Sequence, residues 1–123
     1  MKVFFLIASL AFAACSSPKK TESQTVLSTK NAPIPSCILS LIDQYKSEPK
    51  QNPPRSIYSY TYNDSTVYYV PSICCDQYSS LFNKNCELIA HPDGGFTGKG
   101  DGKLPDFAKK RTDEKLIWHD ERK

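Results

Sequence analysis

The stretch "SIYSYTYNDSTVYYV", residues 56–70, decides how this chain folds. Tyr58, Tyr60 and Tyr62 alternate with Ile57, Ser59 and Thr61. That period of two is what an extended strand imposes, because successive side chains point to opposite faces. Asn63, Asp64 and Ser65 interrupt the alternation with residues suited to tight turns, and Val67 to Val70 resume it. The stretch reads as a β-hairpin. Its tyrosine stripe has two uses: an aromatic platform for sugar or peptide, or the packed face under a helix. Packing is the preferred reading, because aromatic cross-strand pairs bury large apolar area.

Upstream, "PSCILSLIDQYKSEP" (35–49) supplies the helix. Ile38, Leu41, Ile42 and Tyr45 fall at helical spacing and form one apolar stripe. Ser36 is the expected N-cap, and Pro49 ends the helix. This stripe is expected to lie on the tyrosine face. Downstream, "YSSLFNKNCELIA" (78–90) reads as a second hairpin turning at Asn83 to Asn85. In "EKLIWHDE" (114–121), Leu116 and Trp118 alternate with Ile117 and His119, giving a last strand, with a helix through residues 107–118 as the alternative. The sum is α+β: one N-terminal helix packed on a small antiparallel sheet of four to five strands, in a single domain spanning residues 33–123.

The chain starts "MKVFFLIASLAFAACSS". Lys2 is followed by an apolar run from Val3 to Ala13, the length of a signal h-region and too short to span a bilayer. "FAAC" (12–15) resembles the bacterial lipobox, with Phe12 in place of the usual leucine. The resemblance implies cleavage after residue 14, acylation of Cys15 and anchoring to membrane lipid through it. Two or more acyl chains hold stably, at about 0.8 kcal/mol per buried methylene. Ser16 rather than Asp after the cysteine implies, in a two-membrane cell, the outer membrane with the domain facing the periplasm. Residues 16–32 are polar and read as a tether reaching roughly 20–25 Å.

Of the net charge of +3, Lys2 lies in the leader, so +2 remains. That is too little to argue for nucleic acid. Cys37, Cys74, Cys75 and Cys86 form an even set in an exported chain, which implies two disulfides. Their pairing is open. A bridge from Cys37 to Cys74 or Cys75 would close about forty residues, worth about 4 kcal/mol on the chain-entropy account. A bond between the adjacent Cys74 and Cys75 is the least expected, since it needs a strained ring.

All five glycines fall within residues 94–102, in "HPDGGFTGKGDGKLPDF" (91–107). Asp93, Gly94, Gly95, Gly98, Gly100, Asp101 and Asp106 make this a candidate recognition or calcium loop. Aspartates are hard oxygen donors, and glycines let carbonyls converge. The spacing is not that of an EF-hand, however, and Lys99 and Lys103 oppose a cation. Ordered tight turns are the preferred reading. Zinc at Cys74, Cys75, Cys86 and His91 lacks C-x₂-C spacing. Neither G-x-S-x-G nor H-E-x-x-H occurs, and His91 and His119 read as surface histidines. No metal, cofactor or catalysis is expected.

"VYYVPS", "CCDQYSSLF" and "PDGGFTGKGDGK" followed by "PDF" resemble a family of short bacterial lipoproteins with a domain of unknown function. The resemblance spans residues 35–120 and implies a small α+β fold and an envelope location; it implies nothing about mechanism. Similar proteins carry Cys at the positions of Ala90 and Leu104, and Gly at that of Cys86, so no pairing transfers from them. The expected function is an envelope lipoprotein that binds or supports another envelope protein or glycan. The alternatives are an inhibitor-like module presenting the glycine loop to an enzyme, and a hydrolase pairing His91 or His119 with a carboxylate.

Overall fold

The computed structural model describes residues 32–123. The stretch read as a signal segment, Cys15 and the stretch read as a tether, as far as residue 31, lie outside the described residues. Helix α1 (Ser36–Ser47) begins one residue earlier than the cap reading implied. Pro35 stands at the N-cap with no side-chain bond, and its carbonyl accepts Ile38 N at 3.0 Å and Leu39 N at 3.2 Å. Ser36 is therefore the first helical residue. Proline serves here because its fixed φ leads into the first turn.

The hairpin forms as the alternation dictates. Strand β1 (Ser56–Tyr62) pairs antiparallel with β2 (Ser65–Val70), from Tyr58 opposite Tyr69 to Tyr62 opposite Ser65. Asn63 (φ 46°) and Asp64 (φ 59°) make the two-residue turn, the left-handed conformation that Asn and Asp tolerate best. Ser65 belongs to the strand. The second hairpin joins β3 (Ser80–Asn83) to β4 (Leu88–Ala90). Asn83 Oδ1 accepts the amides of Asn85 (2.9 Å) and Glu87 (3.0 Å) and shapes the turn.

Residues 107–119 divide between the two expectations. Phe107–Lys110 forms a one-turn helix, α2, and Thr112–His119 forms β5. Strand β5 pairs with β1, not with the neighbouring hairpin in sequence, and the sheet runs β4-β3-β2-β1-β5 with every neighbour antiparallel. Five strands and a Cys37–Cys86 disulfide match the expected architecture; α2 adds to it.

The placement of the tyrosines does not match. Helix α1 covers the opposite face, where Ile38 and Ile42 bury against Ile57, Tyr68 and Val70. Tyr60, Tyr62 and Val67 point the other way and pack on Leu81 and Phe107, with Tyr58, Tyr69 and Leu104 at the margin. The tyrosine stripe is thus core, but α2 and the chain leading into it cover it. Both faces of β1 are apolar, Ile57 on one and the tyrosines on the other, so alternation alone assigns no cover to either.

Of the two disulfides, whose pairing the sequence leaves open, one departs from expectation. The β3–β4 turn carries Cys86 to the first turn of α1, where it bonds Cys37 with a Cα separation of 5.7 Å. Cys74 is then left with Cys75 as its partner, and the structure joins these neighbours. Cys75 has φ 61°, and Gln77 N closes the turn on Cys74 O at 3.2 Å. The adjacent bridge, least expected from sequence, follows from Cys86 having taken Cys37.

The chain end returns to α1. Arg122 donates to the carbonyls of Tyr45 (3.0 Å), Lys46 (2.8 Å) and Glu48 (3.0 Å), satisfying the C-terminal carbonyls a helix leaves open.

Candidate functional site

The glycine loop fills the space between β4 and α2. All five glycines have positive φ, from 68° to 82°. At two of them there is a second requirement. A Cβ on Gly94 would stand 2.3 Å from Gln77 O, and one on Gly100 would stand 1.9 Å from His91 O. Backbone bonds close the loop on itself: Asp101 N to His91 O at 2.8 Å, Gly98 N to Gly95 O at 3.1 Å and Gly100 N to Gly94 O at 3.1 Å. Further bonds fasten it to the segment before β3, with Ser79 N donating to Asp93 O at 3.2 Å and Gly95 N to Gln77 O at 3.1 Å.

The three loop aspartates do not converge. Asp93 Oδ2 accepts the Tyr69 hydroxyl at 2.7 Å. Asp101 accepts the amides of His91 and Lys103, each at 3.0 Å. Asp106 accepts the Tyr62 hydroxyl at 2.7 Å and pairs with Lys110 at 2.6 Å. The Lys103 amide, then the His91 amide, hold the Asp101 carboxyl below its usual range. Lys110, then Tyr62, do the same for Asp106. Among the described residues no group of three or more His, Cys, Asp and Glu is gathered as a metal would require. Two of the candidate ligands, Asp93 and Asp106, fasten the loop to the tyrosine face, and the third, Asp101, closes the loop on its own backbone.

A third tyrosine completes this pattern. Tyr60 donates to Glu114 Oε2 at 2.6 Å, and the Arg111 guanidinium lies 4.5 Å over the Tyr60 ring. Burial, then the bond to Glu114, raises the Tyr60 hydroxyl to about 12. Burial, then Asp93, raises that of Tyr69 as well. Phe107 stands edge-on to Tyr60 and Tyr62, with ring centroids 5.8 and 5.4 Å away.

Among the described residues neither histidine ring is hydrogen-bonded to a carboxylate. His91 Nδ1 lies 2.6 Å from the Ser79 carbonyl oxygen, and His119 Nδ1 lies 2.7 Å from Ser56 Oγ. His91 is half-buried against Tyr78, with rings 5.3 Å apart, so it is less of a surface residue than expected. The cysteines proposed for zinc are in disulfides.

The residue that sequence reasoning missed is Phe96. It is 91% exposed, on a loop whose backbone is fixed on both sides. A signal existed in "GGFTG": one aromatic among turn glycines has no apolar neighbour with which to enter a core. An exposed aromatic on a preorganised loop can serve as an interface anchor at a small entropic cost.

Fold and loop together define a small α+β domain built to hold a glycine-rich loop rigid. A family described as a domain of unknown function, DUF6970, matches residues 43–120, and the chain belongs to it. No curated protein and no solved structure matches the chain. Among the described residues no helix is long and apolar enough to cross a membrane.

Proposed function

We infer that this chain is a lipid-anchored envelope protein whose domain binds another envelope protein through the glycine loop, without catalysis. The observation that carries the reading is Phe96, 91% exposed on a hydrogen-bonded loop. The "FAAC" motif supports the anchor, through Cys15, and with it the outer membrane facing the periplasm. The same loop suits the inhibitor-like alternative, in which the bound protein is an enzyme and Phe96 enters a pocket beside its active site.

The test uses the full chain in its own membrane. A photo-crosslinking residue at position 96 gives one discrete adduct, and the same residue at Asp64, on the exposed hairpin turn, gives none. Cys15→Ser releases the chain from the membrane fraction and weakens the adduct. Equal labelling from both positions, or turnover of an envelope substrate abolished by one substitution, would overturn the reading.

A further inference from the structure

A pocket of about 290 Å³ opens on the helix side of the sheet, and Phe96 is not among the residues that line it. It lies between the C-terminal half of α1, the start of β1 and the segment 70–80. Its two ionised lining groups, Glu48 and Arg55, neutralise each other across 2.8 Å. Both are held in place. Gln44 Nε2 donates to the other Glu48 oxygen at 2.9 Å, and the Arg55 guanidinium lies 4.0 Å over the Tyr45 ring. Gln44, then Arg55, keep the Glu48 carboxyl below its usual range. Among the described residues, buried Arg55 Nε finds no acceptor.

Around this fixed pair stand Ser72, Gln77, Tyr78 and Ser80. Their side chains make no hydrogen bond to any described residue, so each offers donor and acceptor capacity to a ligand. Leu41, Pro71 and Ile73 line the same pocket with apolar surface, and the Tyr78 ring is half exposed.

We propose that this pocket binds a neutral saccharide of one or two rings. A neutral wall gives no net attraction to an anion. A zwitterion would have to part Glu48 from Arg55, and separating a partly buried pair is costly. A purely apolar ligand would strip water from the hydroxyls and amides with no return. A sugar fits what remains, with hydroxyls for the planar and hydroxyl side chains and C–H faces for tyrosine and aliphatic surface. The volume is at the low end of small-molecule pockets. The Cys74–Cys75 bridge fixes the turn just after Ile73, which holds the rim in shape.

The test is saturation-transfer NMR on the full chain in a phosphocholine detergent, which carries no sugar to compete. N,N′-diacetylchitobiose, cellobiose and maltose, all neutral, are offered separately, with acetate as competitor. At least one disaccharide receives transfer. Ser72→Phe, which fills the pocket, lowers its affinity at least about tenfold, or ~1.4 kcal/mol. Gln77→Ala, at an exposed position, weakens it without disturbing the fold, and Phe96→Ala leaves it unchanged. Loss of binding in Phe96→Ala would move the site to the loop and overturn the proposal. So would silence from all three sugars, full binding in both pocket variants, or displacement by acetate.

Discussion

The Tyr69 hydroxyl donates to Asp93 Oδ2 at 2.7 Å and fastens the first turn of the glycine loop to β2. Removing one partner strands the other in a half-buried site, so Tyr69→Phe and Asp93→Ala each cost about 1–3 kcal/mol. A double-mutant cycle by denaturant unfolding gives a coupling of at least about 1 kcal/mol. Additive effects would show that the contact does not tie loop to sheet.

The same tyrosines make the domain alkali-labile. Tyr60 and Tyr69 ionise near pH 10 when unfolded, whereas burial and then a carboxylate acceptor raise both when folded, Tyr60 to about 12. Because the folded pKa is the higher one, their contribution is complete below pH 10. It is lost as pH rises through 12. Tyrosinate absorbance followed alongside unfolding shows part of the ionisation coinciding with loss of structure. In Tyr60→Phe, stability falls less steeply over that range.

Two glycines separate conformation from crowding. Gly98 (φ 71°) has open space where a Cβ would stand, so Gly98→Ala costs only the left-handed strain of about 1–2 kcal/mol. Gly100 (φ 68°) has His91 O 1.9 Å from that point, so Gly100→Ala costs clearly more and shifts the His91 turn. Melting curves of the two variants give this order; equal costs would show that the loop yields.

The two disulfides differ in worth because they close loops of different length. Replacing Cys37 and Cys86 with Ser, which opens a span of 49 residues, costs about 4 kcal/mol. Replacing Cys74 and Cys75 costs about 1 kcal/mol and leaves the melting transition cooperative. The opposite ranking would mean that the 71–78 rim, not the staple on α1, limits stability.

At the acid end, Asp120 is buried and bonded to Arg122 at 2.7 Å, and chiefly this partner lowers its carboxyl to about 2. The unfolded value is 3.8, so its contribution is present above pH 3.8 and is lost as pH falls through 2. Asp120→Asn flattens the acid limb of the stability–pH curve. Arg122→Ala flattens it too and also frays the end of α1, visible as faster amide exchange there.

Local elements were legible in the residues. The 56–70 hairpin follows from alternation and an Asn-Asp turn, and α1 from a stripe at helical spacing, since each signal spans only a few residues. "FAKKRTDEKLIW" was ambiguous because α2 is a single turn, too short for periodicity to register. The glycine loop was correctly read as turns, but the destinations of its aspartates were not visible, since their partners are tyrosines 24 and 44 residues away in sequence.

By itself, then, the sequence determined the hairpins, the first helix and the turns, all set by neighbouring residues. Tertiary structure alone decided three further matters. Helix α1 took the Ile57 face and left the tyrosines to Phe107, because both faces of β1 are apolar and alternation defines faces without assigning their covers. Cys86 reached Cys37, and so left Cys74 to Cys75, because hairpin packing carries the β3–β4 turn to the helix. Phe96 stayed in solvent while the loop around it closes on its own backbone and on the Gln77–Ser79 segment.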